Sequence, residues 1–117
     1  RKDDLIKTKS YRVSPEELEH ALLAIPGVHE VAVVGEPHQY LGEIPVAFVV
    51  GGGPEMDAEA ILKEALVRIP RYKCVRKVYP VSELPRTKTG KVRRGVLRDQ
   101  LRARGPVSDE APSAGDL

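Results

Sequence analysis

The residues best placed to do chemistry lie between positions 84 and 94, where cations and hydroxyls surround one glycine: Thr87, Lys88, Thr89, Gly90 and Lys91. Lysine carries a hydrated point charge on a long stem, so this segment can present an ammonium to an anion. A phosphate-binding P-loop would need Ser or Thr after the lysine and an earlier glycine five positions before Gly90. Val92 and Pro85 stand there, which rejects the P-loop. We expect a flexible loop that presents Lys91.

The charge surrounding this segment is strongly positive. The chain carries a formal charge of +2, but residues 71–104 hold twelve Lys or Arg against only Glu83 and Asp99, locally about +10. Such a block can be a solvated face, a nucleic-acid footprint or a surface that meets phosphorylated ligands. A nucleic-acid site would also use stacking aromatics, and only Tyr72 and Tyr79 are available there. We therefore expect no nucleic-acid partner, and a free-standing basic binding module stays the less favoured alternative.

Other candidate sites are weak. Cys74 is the single cysteine, without a partner for a disulfide or a metal site, and the three histidines have no ligand spacing, so we expect all three on the surface. We predict no metal ligands and find no general acid/base couple. No apolar run approaches the roughly 20 residues of a membrane span. The absence of a leader-like start favours the cytoplasm.

The first element that must position this chemistry is a helix after a short strand at Tyr11–Val13. Ser14 is an N-cap candidate, Pro15 suits the first helical position and Glu17 completes a capping box. An apolar stripe follows, and Pro26 and Gly27 end the helix. This pattern predicts an amphipathic helix from residue 15 to about residue 25.

Two β-branched runs, residues 28–35 and 46–50, predict strands buried on both faces. Asp57 then caps a second amphipathic helix that Pro70 stops, Val75, Val78 and Val81 suggest another short strand, and residues 93–104 predict a last helix. The 117 residues suffice for one domain with one modest core. The expected fold class is α+β: a small mixed sheet with an N-terminal β hairpin-like segment, flanked by about three helices.

Residues 85–94 match throughout the pattern Pro-Arg-Thr-x-Thr-Gly-Lys-Val-x-Arg, and residues 1–19 supply a second block, RKDDLIKTKSYRVSPEELE. The two blocks, in this order and spacing, resemble the hinge and C-terminal signatures of the adenylate-forming superfamily, which includes acyl-CoA synthetases, peptide-synthetase adenylation domains and firefly luciferase. The resemblance covers about residues 1–104. It implies a hinge and linker over residues 1–12 and a C-terminal lid domain over residues 13–104. The composition of residues 105–117 predicts a disordered tail.

The resemblance implies an ATP-dependent carboxylate–CoA ligase whose large N-terminal domain precedes this chain and is its partner. That domain would bind most of the ATP with Mg, and CoA would be the co-substrate, so the chain would be inactive alone. Lys91 matches the catalytic lysine that lies near the carboxylate, the α-phosphate and the ribose. Thr89, Gly90 and Arg1 would assist in nucleotide binding, and Asp3 matches the hinge residue about which the domain rotates.

After that rotation a second face would serve thioester formation. The resemblance assigns the thiol and pantetheine side to residues of the N-terminal segment: Lys7, Lys9, Ser10, Tyr11 and Arg12. Ser10 stands where the family has a glycine that lines the pantetheine tunnel, and serine adds a hydroxymethyl group where glycine allows close backbone approach. This departure leaves open a carrier-protein-loading or adenylate-only ligase. The resemblance also implies that Lys91 could be regulated by acetylation, which would remove its charge.

Overall fold

The computed structural model describes residues 5–8, 11–51 and 57–104. Strands β1 (Ile6–Lys7) and β2 (Arg12–Val13) form an antiparallel pair, the predicted hairpin-like segment. Helix α1 (Pro15–Leu23) follows, then strands β3 (Val28–His38) and β4 (Gly42–Gly51) and helix α2 (Ala58–Arg68). A 3-10 helix (Arg71–Lys73), strand β5 (Lys77–Pro80) and helix α3 (Arg94–Arg104) complete the described part. The predicted α+β class is confirmed.

Strands β3, β4 and β5 form a mixed sheet with β4 in the centre, antiparallel to β3 and parallel to β5. The sequence placed breaks at residues 35–37 and 41–43, but β3 runs on to His38 and β4 already begins at Gly42. Pro37 is tolerated because β3 is an edge strand of this sheet, where one side of the backbone needs no ladder bond. The strands are therefore longer than their apolar runs.

The helix boundaries follow the predicted caps. The Ser14 hydroxyl accepts the backbone N–H of Glu17 at 3.4 Å, and the Asp57 carboxylate accepts that of Glu59 at 3.0 Å. The Glu17 carboxylate, expected to complete a capping box, binds the Lys73 ammonium at 2.5 Å. That contact joins α1 to the 3-10 helix, and its hydrogen bond raises the pKa of Lys73.

The sheet is covered on both faces, as the apolar strand runs predicted. One face packs against α1, α2 and the first hairpin through a core that includes Ile6, Val13, Leu18, Leu22, Val31, Val33, Ala47, Val49, Ile61 and Ala65. The other face packs against α3 through Ala32, Val34, Ile44, Val46, Phe48, Leu84, Leu97 and Leu101. Alternate residues of β3 therefore serve opposite cores, because successive strand side chains point to opposite faces.

The histidine prediction is wrong at one position. His20 and His29 are exposed, but His38 is buried at the turn between β3 and β4. Its Nδ1 accepts the backbone N–H groups of Tyr40 and Leu41, each at 3.0 Å. The imidazole is buried because it satisfies two turn donors that the strands cannot reach.

Candidate functional site

Lys91 lies on the returning arm of a tight hairpin formed by residues 86–92. Arg86 pairs antiparallel with Val92, and the Thr87 N–H donates to the Lys91 carbonyl at 2.8 Å. The Gly90 N–H donates to the Thr87 carbonyl at 2.9 Å, and Gly90 adopts a positive φ of 93°. This is the usual geometry of a three-residue hairpin loop with glycine in the left-handed position. The segment is thus more regular than the flexible loop expected from the sequence.

The hydroxyls of this hairpin organise the turn. The Thr87 Oγ1 accepts the Lys91 N–H at 3.2 Å and lies 2.9 Å from the Thr89 Oγ1. The Lys91 backbone is therefore occupied on both its donor and acceptor sides. Its side chain is exposed, and among the described residues its ammonium has no hydrogen bond or ion pair. The Lys91 backbone is thus held in place, while its ammonium is available to bind an anion from outside the domain.

Arg86 anchors the outgoing arm of the hairpin. One of its nitrogens donates to the Gly90 carbonyl at 2.7 Å, and another contacts the Glu30 carboxylate in β3. The guanidinium thus ties the two arms of the hairpin to each other and to the sheet. Because Gly90 directly precedes Lys91, the bond from Arg86 to the Gly90 carbonyl helps to fix the backbone at the lysine.

Arg94, the first residue of α3, anchors the returning arm. It donates to both oxygens of Glu19, from Nε at 3.0 Å and from Nη2 at 2.5 Å. Glu19 lies in α1 and also accepts the backbone N–H of Val33 in β3 at 2.8 Å. Since α1 and α3 cover opposite faces of the sheet, this ion pair passes around the open edge of β3.

Of the residues predicted for the thiol side, the structure describes Lys7, Tyr11 and Arg12, which lie in or between β1 and β2. Lys7 and Arg12 are exposed and directly paired, and the turn is closed by bonds between Thr8 and Tyr11. The exposed Tyr11 ring lies 4.8 Å from the Tyr72 ring. The Lys7 N–H donates to the Glu43 carboxylate of β4 at 2.9 Å.

The structure separates the two groups of candidate residues. The hairpin of Lys91 contacts Glu30 near the start of β3, whereas the Glu43 carboxylate that binds Lys7 lies over Gly35, five residues further along. Five strand residues span about 17 Å. The remaining candidates, Arg1, Asp3, Lys9 and Ser10, lie outside the described residues, as does the predicted tail at 105–117.

A small open cavity of about 140 Å³ lies beside the edge of β3, between β1 and the arginines of α3. Ligand pockets usually measure roughly 300–1,000 Å³, so this cavity alone cannot enclose ATP. The described residues contain no group of three or more His, Cys, Asp or Glu side chains arranged to hold a metal ion. None of the helices in the described part has the length and apolar character needed to cross a bilayer.

Sequence reasoning missed the acidic residues that hold both hairpins: Glu19, Glu30 and Glu43. Glu19 is one of three acids in α1, and spacing within the helix does not distinguish it. Its partners are distant in sequence, with Arg94 lying 75 residues further along. Only the folded arrangement reveals these contacts.

The sequence profile of the AMP-binding enzyme C-terminal domain matches residues 17–91. The Long-chain-fatty-acid–CoA ligase FadD13 of Mycobacterium tuberculosis is 39% identical over 103 residues, which cover 88% of this chain and 20% of that protein. The human mitochondrial Acyl-coenzyme A synthetase ACSM4 is 44% identical over 106 residues, covering 86% of this chain and 18% of that protein. The chain thus spans about a fifth of the length of these relatives.

Part of the chain in two solved structures has a fold similar to that of this domain. A fatty acyl CoA synthetase of Mycobacterium tuberculosis superposes with a TM-score of 0.83 at 38% identity, over 89% of this chain and 21% of that one. ATP-bound MatB from Rhodopseudomonas palustris superposes with a TM-score of 0.80 at 38% identity, over 86% of this chain and 20% of that one. Both the fold and the sequence are therefore shared.

Proposed function

This chain belongs to the AMP-binding enzyme C-terminal domain family of the adenylate-forming superfamily, and from that premise we propose that it is the mobile C-terminal domain of an ATP-dependent carboxylate–CoA ligase. The observation that carries the proposal is the exposed Lys91 ammonium on a hairpin whose two ends are tied to the sheet and to α1. The relatives are named as CoA ligases and acyl-CoA synthetases. The large N-terminal domain is the partner that supplies the acyl pocket and most of the ATP site. We also propose that the enzyme is located in the cytoplasm.

In the first half-reaction a carboxylate oxygen of the acid attacks the α-phosphorus of ATP. A new O–P bond forms, the bond to the bridging oxygen of pyrophosphate breaks, and acyl-adenylate and pyrophosphate result. Negative charge from both reactants gathers around the α-phosphate, and a fixed ammonium there stabilises the transition state electrostatically. Lys91 supplies that ammonium, while Thr89, Gly90 and Arg1 support the nucleotide. The N-terminal domain would hold most of the ATP together with Mg²⁺, which would neutralise phosphate charge.

In the second half-reaction the domain rotates about Asp3 and presents the hairpin of β1 and β2. A hinge absorbs a large backbone change and need not touch the substrate. The thiol sulfur of CoA attacks the acyl carbonyl, the thioester forms, AMP leaves with the bonding electrons and the thiol proton passes to solvent. Lys7, Tyr11 and Arg12, together with Lys9 and Ser10, line the thiol side.

The test is Lys91→Ala in the full-length enzyme, with each half-reaction measured separately. Pyrophosphate release should fall by roughly 10²–10³-fold, as when one fixed electrostatic donor is removed. Thioester formation from supplied acyl-adenylate should persist. Lys88→Ala is the matched control, since Lys88 is also an exposed lysine on the same turn. Equal losses in both half-reactions, or no loss in the first, would show that Lys91 lacks this role.

A second candidate keeps the same adenylation chemistry but changes the acceptor. In a ligase that loads a carrier protein, or one that stops at the adenylate, Ser10 in place of the tunnel glycine would matter less, because no free CoA needs to enter. The two candidates are separated by CoA consumption in the presence of acid and ATP. Consumption of one CoA for each pyrophosphate supports the CoA ligase, whereas pyrophosphate release without CoA consumption supports the alternative.

A further inference from the structure

We propose that Glu19 and Glu43 are positioning residues, each of which holds one of the two hairpins on the sheet and thereby serves one half-reaction. Glu19 would serve adenylation by fixing the arm that bears Lys91. Glu43 would serve thioester formation by fixing β1, which bears Lys7. Neither carboxylate is assigned a direct contact with substrate. This inference rests on the proposed function and adds one anchoring carboxylate for each of the two hairpins.

Glu19 makes three hydrogen bonds to two elements. Its Oε2 accepts the Val33 N–H at 2.8 Å and the Arg94 Nε–H at 3.0 Å, and its Oε1 accepts the Arg94 Nη2–H at 2.5 Å. Two parallel bonds to a planar guanidinium fix direction as well as distance. Arg94 follows Lys91 by three residues. The contact with Glu19 thus fixes the chain three residues beyond the lysine, at the end of the arm that carries the ammonium.

The second anchor of this hairpin is weaker. In the pair between Arg86 and Glu30 the two side chains are 40% and 41% exposed, whereas Arg94 and Glu19 are 21% and 14% exposed. Exposed ion pairs are screened by water and usually contribute little, while partly buried charge-assisted bonds are stronger. Of these two anchors among the described residues, the one through Glu19 is therefore expected to fix the position of Lys91 more strongly.

Glu43 holds the other hairpin at its backbone. Its Oε1 accepts the Lys7 N–H at 2.9 Å. The absence of a side chain at Gly35 makes room for this contact, because a Cβ there would lie 2.9 Å from both Cδ and Oε1 of Glu43 and 3.2 Å from Cγ2 of Ile6. Gly35 does not require a positive φ, so space is what the glycine provides. The sequence thus leaves a recess in β3 into which Glu43 fits.

The test measures both half-reactions in the full-length enzyme carrying Glu19→Gln or Glu43→Ala. Glutamine keeps an acceptor for Val33 but removes the charge and the paired contact with Arg94. We expect Glu19→Gln to lower the adenylation kcat about tenfold, within the roughly hundredfold that a 1 Å misplacement can cost. The KM for ATP and transfer from supplied acyl-adenylate should be unchanged. Glu43→Ala should instead lower the rate of transfer from supplied acyl-adenylate and leave the adenylation kcat unchanged.

Glu17→Gln is the matched control, because Glu17 lies in the same helix as Glu19 and loses an ion pair of its own, with Lys73. It should leave both half-reactions unchanged. Arg94→Lys repeats the first test with the charge retained, since lysine cannot reproduce the planar two-bond contact. Gly35→Ala repeats the second test with the Glu43 charge retained and its space removed. If the two variants of each pair lose the same half-reaction, the loss arises from positioning and not from net charge.

Thermal unfolding of each variant shows how much folded enzyme enters the assay, and rates are expressed per folded enzyme. A loss confined to adenylation in Glu19→Gln, together with a loss confined to transfer in Glu43→Ala, supports the proposal. Equal losses in both half-reactions, or none in either, would overturn it, and a selective loss for one carboxylate alone would overturn the role of the other. If Lys91→Ala itself leaves adenylation intact, the proposed function fails before these variants are considered.

Discussion

The Tyr79 hydroxyl donates a 2.7 Å hydrogen bond to Glu36, a carboxylate whose side chain is only 1% exposed. The Lys77 ammonium lies 3.4 Å from its other oxygen. Both partners come from β5, so this contact crosses the central strand β4 and joins the two outer strands of the sheet. A carboxylate buried this deeply requires such partners, because an unpaired charge would be strongly destabilising.

Tyr79→Phe should destabilise the domain measurably. The substitution keeps the ring that packs 5.2 Å from Phe48 but removes the donor to the buried carboxylate. Hydrogen bonds to charged groups contribute about 1.5–3 kcal/mol, and urea unfolding should show a loss of that size. Tyr40→Phe is the control, since Tyr40 is exposed and should change stability little. Equal midpoints for the two variants would contradict this account.

The buried Cys74 should make stability fall in alkaline solution. Burial raises the pKa of its thiol from 9.0 to about 11. Between those values the unfolded thiol releases its proton while the folded thiol keeps it, so the unfolded state binds fewer protons and the free energy of unfolding falls as pH rises. Below pH 9.0 the contribution is present in full.

Urea unfolding of the native chain and of Cys74→Val across this pH window isolates the thiol, because every other titrating group is common to both. The native chain should lose stability more steeply than the variant. Parallel pH dependences would mean that the thiol titrates alike in the folded and unfolded states.

Gly90→Ala should impair both the hairpin and the chemistry. An added Cβ at Gly90 meets no atom within 4 Å, so the cost arises from its φ of 93° and should be about 1–2 kcal/mol. Gly27→Ala is a close control, with a φ of 94° and equally open space on the turn after α1. Both variants should lose similar stability, but only Gly90→Ala should lower the adenylation kcat. A matching decrease in Gly27→Ala would assign the effect to general destabilisation.

The basic segment should not behave as a nucleic-acid site. Four of its cations are paired with carboxylates from earlier in the chain: Lys73, Lys77, Arg86 and Arg94. A footprint on nucleic acid would give an affinity that falls steeply with salt. Titration with labelled single- and double-stranded DNA at low salt should show at most weak binding. Tight binding whose affinity falls steeply with salt would indicate that the basic segment is a nucleic-acid site.

Much of the fold follows from local patterns. Ser14 and Asp57 begin their helices as capping residues should, and the β-branched runs become the central strands. The extensions of β3 and β4 through proline and glycine were not predictable, since Pro37 is acceptable only once β3 is known to be an edge strand. The burial of His38 does not follow from the sequence, because the two backbone N–H groups that its Nδ1 accepts come together only when the turn closes.

The candidate site was only partly predictable. Lys91 stands out because its neighbours in sequence form a motif, and the turn at Gly90 follows from local chemistry. The acids that hold the hairpins do not stand out, because Glu19 meets Arg94 only through tertiary structure. The local excess of positive charge is partly compensated in the same way, since four of its cations pair with carboxylates in the N-terminal half of the chain.

The contact between the Glu19 carboxylate and the Val33 N–H also affects how the domain meets other molecules. An open strand edge offers unpaired donors and acceptors on which a second chain can add a strand, and this is a common start of aggregation. Here a side chain already occupies a donor in the middle of β3, with an arginine from the opposite layer across it. The edge of β3 is thus protected against pairing with a strand of a second chain.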